Sequence, residues 1–134
     1  MNICLIGDSL TSLALAKNLI NKNIKVFLYY RKSKNSSNQS RTIGISKNNF
    51  DFFNNEIIKF KKDMFWKIKK IEIYSEKLKN EKILNFANNE EELFLIAKNS
   101  QIYKLLDRDL KKNKLFKKIL IKKFLNLEKV CFGR

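Results

Sequence analysis

The chain has 134 residues, 44% of them apolar and 31% charged, with 29 Lys+Arg against 13 Asp+Glu for a formal net charge of +16. That length suits one domain with a real core, and the apolar content excludes general disorder. With no histidine and only two distant cysteines, Cys4 and Cys131, the composition argues against a zinc site, a disulfide framework and any His-activated nucleophile.

Asn2-Ile3-Cys4-Leu5-Ile6 is an apolar run that predicts a strand, with Cys4 packed as a small hydrophobe. Gly7-Asp8-Ser9-Leu10-Thr11-Ser12 follows as a tight turn, Leu13 to Ile20 as an apolar-faced helix, and Lys25-Val26-Phe27-Leu28-Tyr29-Tyr30 as a second strand. This is the layout of a dinucleotide-binding βαβ unit, in which backbone N–H groups at a helix start hold a pyrophosphate. Of the G-x-G-x-x-G pattern only Gly7 is kept; Ser9 and Ser12 stand at the other two glycine positions. Both serines suit helix capping and packing as well as a cofactor role, and Asp8 suits the positive end of the helix dipole.

Residues 31–40 are rich in serine and asparagine and predict a surface loop. Arg41-Thr42-Ile43-Gly44-Ile45-Ser46 predicts a short buried strand, with Ser46 capping a helical face of Phe50, Phe53 and Ile57. Asp63-Met64-Phe65-Trp66 is expected to continue or close that helical region, and Phe60, Phe65 and Trp66 to pack as core. Three strands are expected over residues 68–97, as an inserted β-meander joined by polar turns. Asn99 or Ser100 should cap a helix with Ile102, Leu105, Leu106 and Leu110 on its apolar face, followed by a last strand over Lys118–Ile121. The lysine runs at 111–114 and 117–123 are expected to be a solvated helix end and strand edge. The fold class expected is α/β, Rossmann-like, in one domain without a clear internal boundary and incomplete at the C-terminus.

Three stretches together resemble the flavin-dependent aromatic hydroxylases of the para-hydroxybenzoate-hydroxylase-like group, in particular the ubiquinone-biosynthesis hydroxylases. They are Ile3–Tyr30, then Arg41–Ser46 with Phe50-Asp51-Phe52-Phe53, and Leu93–Leu110 with its Asn99-Ser100-Gln101-Ile102 segment. The resemblance covers residues 2–121 and only the leading part of a family member, so the sequence is expected to be a fragment, a split-gene product or a decayed copy. It implies FAD as cofactor, NAD(P)H as electron donor and hydroxylation of a phenolic, polyprenylated substrate. It places Gly7, Ser9, Leu10 and Ser12 at the FAD pyrophosphate, Arg41 near the flavin or its phosphates, and Gln101 at a polar position that helps hold the flavin. Arg41 otherwise reads as a solvated loop charge and Gln101 as a cap of its own helix. No residue is assigned to ring hydroxylation and none to a metal.

Two departures from the family stand out. The second strand ends in Tyr30-Arg31, where the family carries an acid for the ribose hydroxyls. The family's second Gly-Asp motif has no counterpart among the 134 residues. The charge supports an alternative reading, a non-catalytic basic α/β module for nucleic acid or anionic lipid. Nucleic acid is the weaker partner, because arginine occurs only at positions 31, 41, 108 and 134 and groove readers favour arginine. The N-terminus reads as a strand rather than a secretory signal, and no apolar run approaches about 18 residues. A cytoplasmic protein is therefore expected, with peripheral association at the inner face of the membrane as an option.

Overall fold

Parallel strands β1 (Asn2–Ile6) and β2 (Lys25–Tyr30) are joined by helix α1 (Leu10–Asn21), as the N-terminal pattern predicts. The computed structural model describes residues 1–31, 41–78, 81–87 and 92–121. The polar loop expected at 31–40 and Cys131 fall outside these, apart from Arg31. The elements that follow are β3 (Thr42–Ser46), α2 (Lys47–Phe52), β4 (Phe65–Ile68), β5 (Lys70–Ser75), β6 (Glu81–Ala87), β7 (Phe94–Lys98), α3 (Asn99–Lys111) and β8 (Phe116–Leu120).

The chain divides into two compact units, residues 1–39 with 102–134 and residues 40–101. The second crossing point, between Gln101 and Ile102, lies inside α3.

The first unit is a parallel sheet in the order β1-β2-β8. Helix α1 ends in a Schellman turn: Asn23 takes φ 60°, its N–H donates to Ile20 O at 2.9 Å, and Ile24 N–H donates to Leu19 O at 3.0 Å. Asparagine tolerates that left-handed conformation, so the turn reverses the chain into β2 without a glycine. Val26 and Leu28 of β2, Leu13 and Ala16 of α1, and Leu106 and Leu110 of α3 are fully buried. Lys17 Nζ on α1 lies 2.7 Å from Asp109 Oδ2 on α3, an ion pair that links the two helices.

In the second unit β7 is the central strand of an antiparallel sheet, order β3-β7-β4. Ser46 caps α2 as expected, its Oγ accepting from Asn49 N–H at 3.4 Å. The helix continues as a single π-type turn over Phe53–Ile57. Two expectations change here. Phe65 and Trp66 begin strand β4 after a 3-10 turn at Lys62–Met64, instead of extending the helix. The three strands expected over 68–97 form, but not as one meander, since β5 and β6 pair as a separate hairpin while β7 joins β3 and β4. At the start of β4, Phe65 lies 5.0 Å from Phe50 and 5.1 Å from Phe60, ring centre to ring centre, in one aromatic cluster. Of β3 only Ile45 is buried, and Trp66 is 54% exposed rather than core.

Leu28 has no exposed surface and sits on the central strand of the parallel sheet. Leu28→Ala is expected to cost about 2–5 kcal/mol of stability, read as a lower midpoint in urea unfolding followed by circular dichroism.

Candidate functional site

The β1–α1 turn is built from its backbone outward. Gly7 N–H donates to Tyr29 O at 2.8 Å, which carries the parallel ladder one residue past β1 and pins the turn to the end of β2. Gly7 takes φ +95°, a conformation side-chain-bearing residues rarely adopt, and a Cβ there would have no heavy atom within 4 Å. The space that a side chain would fill at this turn is therefore open.

Ser9 is the N-cap of α1. Its Oγ accepts from Ser12 N–H at 3.3 Å, and the Ser9 and Ser12 hydroxyls lie 3.1 Å apart. Of the two roles open to these serines in the sequence, capping is therefore in place. Leu10 and Thr11 hold the first two helical positions, whose N–H groups have no partner within a helix and carry the positive end of its dipole. This turn suits a diphosphate.

Arg41 and Gln101 belong to the second unit. Asn99 N–H donates to Arg41 O at 2.9 Å, and Thr42 pairs with Lys98. Arg41 and the first turn of α3, which carries Gln101, are thus brought to the same end of the β3–β7 ladder. Both residues are exposed. Gln101 is the third residue of α3 rather than the residue before it, so it is not the N-cap of its own helix. Asn99, also expected as a cap, is itself the first helical residue.

A polar cluster beside the turn escaped sequence reasoning. Lys118 of β8 stands in register with buried Leu28, and its side chain is only 12% exposed. The lysine run at 117–123 predicts a solvated strand edge, and at Lys118 the structure corrects that. Its Nζ donates to Asp107 Oδ1 at 2.8 Å and to Tyr103 Oη at 3.0 Å, and lies 3.5 Å from Asp8 Oδ2. Tyr103 Oη in turn donates to Asp8 Oδ2 at 3.1 Å. The ammonium also lies 4.8 Å from the ring centre of Tyr30. The available signal was the i, i+4 pair Tyr103 and Asp107, which puts two polar groups on one face of α3, but nothing local said that a lysine would meet them.

The cluster is electrically strained by burial and relieved by pairing. Burial disfavours the Lys118 ammonium, yet its bonds to Asp107 and Tyr103 outweigh this and hold its pKa above the ordinary lysine range. Burial likewise opposes ionisation of Asp107, and bonds from Lys111 and Lys118 outweigh it and hold its carboxyl below the usual range. For Tyr103 burial prevails and the phenol is pushed up, so it stays a donor to Asp8. No group of three or more metal-ligating side chains occurs among the described residues. None of the described helices is long and apolar enough to cross a membrane.

No family model and no curated protein sequence matches this chain. Solved structures do. The fold matches p-nitrophenol 4-monooxygenase from Pseudomonas putida (TM-score 0.67, 11% identity, 89% of this chain and 32% of that one). It also matches 2,6-dihydroxypyridine-3-hydroxylase from Arthrobacter nicotinovorans (TM-score 0.60, 16% identity, 87% and 28%). A third match is an FAD-containing monooxygenase from Photorhabdus luminescens (TM-score 0.57, 21% identity, 88% and 30%). At these identities the likeness shows a common fold, and the chain spans about a third of the length of each match.

Two outcomes are expected. Ser9→Ala removes the α1 cap and should cost about 1 kcal/mol, read by thermal unfolding. The Asp107 contribution is present above the pKa of an unfolded carboxyl and is lost as pH falls through its lowered folded value. The Lys118 contribution is present below the unfolded lysine pKa and is lost as pH rises through its raised folded value. Lys118→Met should therefore lower stability by about 2 kcal/mol near neutrality, and the gap to the wild type should narrow below roughly pH 4 as the carboxylates protonate. Urea unfolding of both proteins across pH checks it.

Proposed function

We propose that this chain is the FAD-binding portion of a flavin-dependent monooxygenase that hydroxylates a phenolic substrate. The observation that carries the reading is the open, positive-φ turn at Gly7 between parallel β1 and capped α1, within a fold matched over nearly nine-tenths of the chain by monooxygenases. The diphosphate of FAD would lie against the backbone of Gly7, Ser9 and Leu10, with Ser12 fixing the helix start through its bond to Ser9. Arg41 would offer its guanidinium to the flavin or its phosphates, and Gln101 would hold the flavin edge. Bound flavin supplies oxygen activation, with electrons from NAD(P)H. The chain's own residues bind and orient it.

The ubiquinone-biosynthesis branch and a polyprenylated phenol are the finer reading, supported by the sequence resemblance. A prenylated substrate resides in a bilayer, and a net charge of +16 suits an anionic membrane surface.

Purified wild-type protein is expected to retain flavin absorbance after incubation with FAD and desalting. Gly7→Val should lose it, because a β-branched side chain both fills the phosphate approach and disfavours the left-handed backbone. A folded wild type that takes up no FAD overturns the proposal. Salt-sensitive DNA binding in its place would favour the basic-module reading.

A further inference from the structure

We infer that Lys118 is a positioning residue that cancels the charge of Asp8 and so keeps the β1–α1 turn receptive to a diphosphate. The inference rests on the reading of that turn as a diphosphate site.

Asp8 directly follows Gly7, and a free carboxylate there would repel an incoming phosphate. In the structure that carboxylate is engaged on one oxygen by two groups: Tyr103 Oη donates to Oδ2 at 3.1 Å and Lys118 Nζ lies 3.5 Å from it. Lys118 is anchored for this role from below, by Asp107 Oδ1 at 2.8 Å and Tyr103 Oη at 3.0 Å. Asp107 has a second cation, Lys111 Nζ at 2.5 Å from Oδ2. Two carboxylates thus face two ammonium groups, and the cluster sums to no net charge.

Lys118 is consumed by this pairing and is not a phosphate ligand. Its ammonium is enclosed by Asp8, Asp107 and the rings of Tyr30 and Tyr103, and its side chain is almost wholly covered. What it contributes is a neutral background, against which the helix N–H groups set the sign of the local field. The same arrangement explains how an acid is tolerated beside a turn of this kind.

The test measures ADP and FAD binding by calorimetry on the wild type, Lys118→Met, Asp8→Asn and the double variant. Lys118→Met should weaken ADP binding about tenfold, by leaving Asp8 unbalanced. Asp8→Asn should restore it in the Lys118→Met background to within about threefold of the wild type, and alone should tighten it. Lys118→Arg keeps the charge and should bind like the wild type. Loss in Lys118→Met that Asp8→Asn does not restore overturns the inference, since Lys118 would then be a direct ligand or a purely structural residue. Should Lys118→Met fail to fold, Asp8→Asn alone decides: unchanged or weaker ADP binding overturns the inference. A wild type that binds ADP but not FAD sinks the flavin reading and leaves this one to be judged on ADP. No ADP binding by any of the proteins, Asp8→Asn included, sinks this one too.

Discussion

A parallel ladder cannot be closed by a tight turn, and everything in the first unit follows from that. β1 pairs with β2 and β2 with β8 in parallel, so each step along the sheet needs a crossover that returns the chain to the same edge. α1 supplies the first crossover and α3 leads into the last strand. Because the three strands run parallel, their C-terminal ends and the start of α1 lie at one end of the sheet. The Gly7 N–H bond to Tyr29 O is the last rung of that ladder, and it decides where the turn opens.

The same geometry turns an ordinary lysine into a buried one. β8 joins β2 in register, with Lys118 opposite Leu28, so its side chain points into the layer covered by α3. There it meets Asp107 and Tyr103, one helical turn apart, and through them Asp8. Lysines with a deep stem and a paired head lose little by being covered, because the methylenes pack while the ammonium keeps its bonds. In a chain with so large an excess of positive charge, pairing of this kind is selective. Most lysines among the described residues are exposed, while this one faces two acids.

The second unit rests on a different balance. Its core is small, with Ile45, Ile57, Phe65, Leu95 and Ala97 buried, and it is supplemented by stacked and edge-to-face phenylalanines. Its β5–β6 hairpin has Ile73, Leu84 and Phe86 each more than two-fifths exposed. Glu72 bridges Lys70 and Lys82 across that hairpin, and the lysine bonds hold its carboxyl below the usual range. Arg41 and the first turn of α3, which carries Gln101, lie at one end of its central ladder.

Local pattern determined the βαβ unit, the Ser46 cap, the apolar face of α3 and the last strand, since each is written in spacing over a few residues. It also pointed to Gly7, because a turn that demands positive φ favours glycine whatever surrounds it. Only the tertiary structure decided which strands pair, because period-2 alternation marks a strand without naming its neighbour. It alone turned residues 68–97 from a series of strands into parts of two sheets, and drew Phe65 into β4. It alone put Lys118 beside Asp8, 110 positions earlier in the chain. A charge's partner across such a separation is set by register and packing, and no local spacing encodes it.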